Sequence, residues 1–224
     1  SPALHHGTCR VHWWCSEWTL ANWPARLNQI IVEKTMKNIL FVLLATAVSA
    51  TPAMAALEAG NAAPPFEASA SLAGEPFDYS LADALSKGTV VVYFYPSAYT
   101  RGCNIQAHEF STNMDKFAAA GASVIGVSLD NIERLNDFSA DPEYCAGNLA
   151  VASDESGEIA ASFDINVREG REGSKDTRGI EIGHGFAERT TFIVTSDGKI
   201  AQTIGGVSPM ENVRLSLELS LIHI

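Results

Sequence analysis

The run TVVVYF, Thr89–Phe94, constrains this chain more than any other stretch, because each of its six residues is β-branched or aromatic. A strand with one wet face alternates polar and apolar side chains, whereas an unbroken run like this one is covered on both faces. Such a strand belongs in the middle of a sheet with helices above and below it. ASVIGVSLD, Ala122–Asp130, is a second strand of the same kind. Between them, from Cys103 to Ala120, the apolar residues Ile105, Phe110, Met114, Phe117 and Ala118 recur at helical spacing, and Gly121 ends the segment. Strand, helix and strand in this order make a βαβ unit with parallel strands.

The rest of the chain extends that unit. Phe77–Leu85 suits a short edge strand and a turn of helix, Asn131–Ser139 a helix, Leu149–Ala152 a strand and Gly157–Ile165 a helical turn or two. Asn166–Glu188 is polar and glycine-rich, which predicts a loop or excursion. RTTFIVTSDGKIAQTIG, from Arg189, reads as a hairpin around SDGK, and Ser208 with Pro209 opens a last helix. The expected fold is α/β, with a central mixed β-sheet flanked by helices: a parallel core plus an antiparallel hairpin. The 224 residues are enough for one domain with a substantial core.

Two ends stand apart from that domain, assigned to residues 56–224. Met36–Ala55, MKNILFVLLATAVSATPAMA, has a charged start at Lys37, an apolar stretch Ile39–Val48 and an A-x-A site at Ala53-Met54-Ala55, the parts of a secretory signal peptide. Residues 1–35 lack a starting Met and either periodicity, and they hold all four tryptophans. They read as upstream sequence translated in frame. LSLIHI, residues 219–224, matches a translated transposon end, which implies a last helix cut short and finished by foreign sequence. If Met36 starts a true signal peptide the domain works in a periplasm or outside the cell; otherwise it is cytoplasmic.

The formal charge of -11 argues against nucleic acid and anionic membrane as partners, since both need clustered Lys and Arg. Residues 1–55 carry four basic and two acidic side chains, so the remainder is more acidic still. The four cysteines, Cys9, Cys15, Cys103 and Cys145, are too sparse for a disulfide scaffold, and neither CxxC nor zinc-ligand spacing occurs.

Cys103 lies where the first buried strand gives way to helix. A first helical turn offers free N–H groups and the positive end of the dipole, which favour a thiolate over a thiol. That place also faces the crevice at the strands' carboxyl ends. Position alone leaves a reactive and a structural cysteine equally open. The stretch VVVYFYPSAYTRGCNIQAHEF, with Pro96, Thr100 and Cys103 as P-x-x-x-T-x-x-C, resembles the active-site segment of the peroxiredoxins, thiol peroxidases of thioredoxin-like fold. ERTTFIVTSDGKI, Glu188–Ile200, is similar to their downstream hairpin, with Arg189 before a TF pair.

The resemblance implies that Cys103 attacks the peroxide, Thr100 and Arg189 bind substrate and sulfur, Pro96 shields the thiol, and Gln106 orients the arginine. Peroxide cleavage needs such donors, aimed at the sulfur and at the charge developing on oxygen. Blander roles stay open: Arg189 in a surface salt bridge, Thr100 as a helix cap, Gln106 facing solvent. Among peroxiredoxins the chain is most similar to the bacterioferritin-comigratory, or Q-type, group. Their resolving cysteine is often five residues on, and here that position is His108. The resemblance leaves Cys145 as the candidate resolving thiol, with a structural thiol and an external reductant as the alternative. His184 is near enough in sequence to line the pocket.

By the same resemblance the partners are a peroxide and a thioredoxin-like thiol reductant, the protein is a monomer or homodimer, and no cofactor or metal is implied. Two other readings use the same fold. An exported thiol–disulfide oxidoreductase needs a CxxC, which is missing, and a redox sensor would keep the thiol without turnover.

Overall fold

The computed structural model describes residues 56–222. Residues 1–35, the expected signal peptide Met36–Ala55 and the last two residues of 219–224 lie outside them. Nine strands and six helices follow in order: β1 Glu67–Leu72, β2 Glu75–Ser80, α1 Leu81–Leu85, β3 Thr89–Phe94, α2 Arg101–Thr112, α3 Met114–Ala119, β4 Ala122–Ser128, α4 Ile132–Ala140, β5 Ala150–Ser153, α5 Glu158–Ser162, β6 Val167–Arg168, β7 Phe186–Ala187, β8 Thr190–Val194, β9 Ile200–Gly205 and α6 Pro209–Ile222. Seven strands form one sheet in the order β2-β1-β5-β4-β3-β8-β9. The β5-β4-β3 core is parallel, with Val91 opposite Val124 and Gly126 opposite Val151. Antiparallel hairpins close both edges, β1-β2 on one side and β8-β9 on the other. This is the expected mixed sheet.

All six β3 residues are buried. Val90, Val92 and Phe94 enter one core with Phe66, Leu81, Phe163 and Phe192. Val91 and Tyr93 enter the other with Phe110, Phe117, Leu135 and Phe138, the core that also holds Cys103 and Cys145. The period-two alternation of a strand thus splits one apolar run between two layers.

Two elements depart from the expectation, and a third takes one of its two expected forms. β1 was not foreseen, because EASASL mixes small and charged residues and its turn is Ala73-Gly74. Both turn residues have positive φ, 54° and 85°, as a two-residue hairpin with strand-matched twist requires. Alanine in that place hides the signal that Asn-Gly would give. The helix expected over Cys103–Ala120 starts at Arg101 and breaks at Asn113, whose side-chain amide donates to the Glu109 carbonyl at 2.7 Å and competes with the helical ladder. The 166–188 stretch is a folded excursion in which β6 pairs with β7, and the backbones of Lys175 and Glu181 form an isolated antiparallel bridge. The last helix opens as expected: the Glu211 N–H donates to Ser208 Oγ at 3.3 Å. It continues through Ile222, with Ser220 buried.

Candidate active site

Cys103 sits in the first turn of α2, only 2% exposed, as a free thiol. β3 delivers the chain to the loop Tyr95–Thr100, and β8, hydrogen-bonded beside β3, delivers Arg189 from the other side. Arg189 Nη2 donates to Cys103 Sγ at 3.4 Å, while Nη1 donates to Gln106 Oε1. Gln106 is fully buried and therefore does not face solvent. Its Nε2 donates to Asn212 Oδ1 at 2.9 Å, an oxygen that also accepts from the Thr191 hydroxyl at 2.7 Å. Asn212, itself fully buried on α6, donates onward to the Ile204 carbonyl at 3.3 Å. With Nε2 committed to Asn212, the glutamine has its oxygen left for the guanidinium.

Gly102 belongs to the same arrangement. A Cβ there would stand 3.1 Å from Arg189 Nη2 and 3.6 Å from Pro209 Cγ, so the missing side chain makes room for the arginine. Its role, like that of Asn212, was not read from the sequence; the glycine directly before the thiol was its only signal.

Thr100 is the N-cap residue of α2 but makes no side-chain cap bond. Its hydroxyl donates to the Ser97 carbonyl at 2.9 Å, which commits its proton and leaves its lone pairs. Pro96 is half-buried at the end of β3. His108 is an exposed helix residue whose Nδ1–H donates to the Glu143 carbonyl at 2.9 Å. His184 points behind the loop: Nδ1 meets the Gly185 carbonyl at 2.7 Å and Nε2 meets the Asp130 carboxylate at 2.8 Å. Both partners are acceptors, a setting that favours the doubly protonated imidazolium. Burial disfavours that charge, but the Asp130 bond and charge outweigh it and raise the pKa. For Asp130, burial is likewise outweighed by His184 and by the Ala98 N–H and Ser128 bonds, and its pKa is lowered.

Cys145 shares a core with Cys103 but is completely enclosed, and its thiol is pushed far above the ordinary range by burial, with Asp141 adding. It is a free thiol. Among the described residues no His, Cys, Asp and Glu side chains are grouped to hold a metal ion.

The arrangement puts one thiol under a fixed cation, with a second free thiol enclosed in the same core. Comparisons with known proteins identify the family. Residues 59–203 match the AhpC/TSA family. Peroxiredoxin Bcp of Escherichia coli K12 is 37% identical over 111 residues, which are 50% of this chain and 64% of that protein. The chain thus spans about two thirds, and slightly less, of that curated relative. The crystal structure of peroxidoxin BcpB from Mycobacterium tuberculosis superposes with a TM-score of 0.61 at 28% identity, covering 75% of this chain and 98% of that one. The Xanthomonas campestris bacterioferritin comigratory protein, solved in work on its alkyl peroxide reduction activity, gives 0.57 at 25% identity over 74% and 99%. Since the family match takes in the Cys103 loop, the βαβ unit and the Arg189 hairpin together, this chain belongs to the AhpC/TSA family, the peroxiredoxins.

Proposed function

We propose that the protein is a thiol peroxidase that reduces hydrogen peroxide or organic hydroperoxides. The observation that carries this reading is the Arg189 guanidinium on Cys103 Sγ, oriented through Gln106 from Asn212. The Cys103 thiolate attacks one peroxide oxygen, the O–O bond breaks, and the other oxygen leaves as hydroxide or alkoxide. The product on the protein is Cys103–SOH. Arg189 supplies fixed positive charge where negative charge moves from sulfur to oxygen, and the lone pairs of Thr100 accept the peroxide O–H. The alkyl peroxide reduction activity of the Xanthomonas relative supports including organic hydroperoxides among the substrates.

Cys145 then attacks the sulfenic sulfur, forming a disulfide and releasing water, and a thioredoxin-like dithiol restores both thiols. With Met36–Ala55 read as an export signal, that donor is an extracytoplasmic one. Recovery of a mature N-terminus at Ala56 from the periplasm would support export; an uncleaved chain in the cytoplasm would overturn it.

The deciding experiment is peroxide consumption with a dithiol donor by the wild type, Cys103→Ser and Cys145→Ser. The wild type turns over, Cys103→Ser is inert, and Cys145→Ser consumes one equivalent at Cys103 and then stalls with thioredoxin. A folded wild type that leaves peroxide untouched would sink the enzyme reading.

A further inference from the structure

The loop that carries Thr100 is held from behind by a buried charge cluster that the chemistry above does not use. Asp130, just beyond β4, is fully buried. Its Oδ2 accepts from the Ala98 N–H at 2.7 Å and the Ser128 hydroxyl at 2.7 Å. Its Oδ1 accepts from the Ser97 hydroxyl and from His184 Nε2, each at 2.8 Å, and faces Arg134 Nε at 2.8 Å. Arg134 Nη2 donates to the Ala98 carbonyl at 2.8 Å and reaches Asp176 Oδ2 at 2.9 Å. Beside it Thr177 donates both its N–H and its hydroxyl to the Tyr99 carbonyl, at 2.9 and 2.8 Å.

Those bonds hold a conformation the loop has reason to leave. Tyr99 has φ 60°, a left-handed setting that is unfavourable for a bulky side chain and persists only where the surroundings impose it. A buried carboxylate is also poor evidence of stabilisation for its own sake, since an apolar replacement often does as well. What the carboxylate uniquely supplies here is four lone-pair directions, two of them spent on consecutive loop residues, Ser97 and Ala98.

We infer that Asp130 is a positioning residue for the reaction of Cys103 with peroxide, an inference that rests on the thiol-peroxidase reading. By pinning Ser97–Ala98 it fixes the Ser97 carbonyl, and that carbonyl takes the Thr100 proton. The Thr100 lone pairs are then always presented as acceptors to the peroxide O–H. Without the carboxylate, the hydroxyl is free to rotate and offer its proton instead, which competes with substrate binding.

The test compares two electrophiles on the full-length, reduced protein, followed at Cys103 by peptide mass spectrometry: hydrogen peroxide, and iodoacetamide, which has no O–O bond and no need of Thr100. Asp130→Asn keeps the shape, but its amide nitrogen accepts no bond from the loop. Its peroxide rate constant should fall at least about tenfold, the scale of one lost charge-assisted hydrogen bond, against a nearly unchanged alkylation rate. Ser97→Ala should shift the same ratio in the same direction by less. A general loosening of the fold would raise alkylation instead. A folded Asp130→Asn with an unchanged peroxide-to-alkylation ratio overturns the inference. If Asp130→Asn does not fold, Ser97→Ala decides, and an unchanged ratio there overturns it equally. A wild type that alkylates at Cys103 but ignores peroxide would overturn the peroxidase reading itself.

Discussion

Asn212 offers the sharpest test of how the site is aimed. It touches neither the thiol nor the substrate space, yet its Oδ1 receives both the Gln106 amide and the Thr191 hydroxyl. Asn212→Ala removes that acceptor and strands two donors, both belonging to fully buried residues. Each stranded donor costs about 1–3 kcal/mol, so the expected loss of stability is about 2–6 kcal/mol. For a chain of this size that lowers the melting temperature by roughly 4–24 °C. The second consequence is kinetic. Gln106 no longer has a reason to point its oxygen at Arg189, and a turned amide would set donor against donor. If Arg189 then loses most of its charge-assisted bond to sulfur, worth about 1.5–3 kcal/mol, the peroxide rate falls about 10- to 100-fold.

Calorimetry of the reduced protein and stopped-flow competition for peroxide read the two effects separately. Gln106→Leu completes a cycle: because both residues act through one chain of bonds, the double variant should be no slower than the worse single one, with a coupling of about 0.5–3 kcal/mol. A variant that melts low but keeps its peroxide rate would refute the orienting role. Additive losses in the cycle would refute the shared path.

Three further outcomes follow from the same geometry. Gly102→Ala should separate stability from activity: the helix gains up to about 1 kcal/mol of propensity, but the new Cβ, 3.1 Å from Arg189 Nη2, displaces the guanidinium and slows the peroxide reaction; an unchanged rate would show that the gap is not needed. The His184–Asp130 pair gives stability two limbs. The raised pKa of His184 makes its contribution complete below the unfolded value of 6.5 and lost as pH rises through the folded one, while the depressed pKa of Asp130 makes its contribution present above 3.8 and lost as pH falls through its folded value. Melting temperature against pH should therefore fall off on both sides, and His184→Gln should abolish the alkaline limb and shrink the acid one, since His184 is the largest single cause of the Asp130 depression. In the native reduced protein Cys145 should resist alkylation while Cys103 reacts, since Cys145 is fully enclosed and its thiol is held protonated by burial; equal labelling, mapped by mass spectrometry, would count against a closed core.

How much of this was legible in the sequence depends on whether a residue's partner is local. TVVVYF and ASVIGVS declare themselves because burial on both faces leaves no charged residue in either run, and the structure buries all of β3. The Cys103, Thr100 and Arg189 positions carried a family pattern, and Gln106 came with it. β1 was missed because Ala73 occupies a turn position that normally advertises itself with Asn or Gly. Asn212 and Asp130 were missed for a different reason. Each is a common polar residue, and what distinguishes it is a set of bonds to loops or helices far along the chain, such as Gln106 and Asn212 at a separation of 106. Asp130 left a faint trace, a carboxylate directly ending an apolar strand where a solvated turn residue would also fit.

The two proposed chemical steps make opposite demands on one core. Attack on peroxide needs the Ser97–Thr100 loop held still, and the buried cluster around Asp130 does that. Resolution needs Cys145 to leave an enclosed position whose segment is tied down: Ala146 N–H to the Asp141 carbonyl at 2.9 Å, Gly147 N–H to Ser139 at 3.0 Å and Leu149 N–H to Cys145 at 3.2 Å. Ala146 sits at φ 52°, a left-handed setting that stores a little strain against those bonds. Neighbouring Tyr144 packs edge-on to Tyr99, with ring centres 5.9 Å apart, and near Phe138 at 5.7 Å. Through that ring the segment bearing Cys145 leans on the very loop that must stay ordered for the first step. Opening the Cys145 segment would strip a packing partner from Tyr99 and so loosen the loop that carries Thr100. In the proposed cycle the two demands oppose each other at this contact: order around Thr100 favours oxidation, and loss of the Tyr144 contact favours the disulfide.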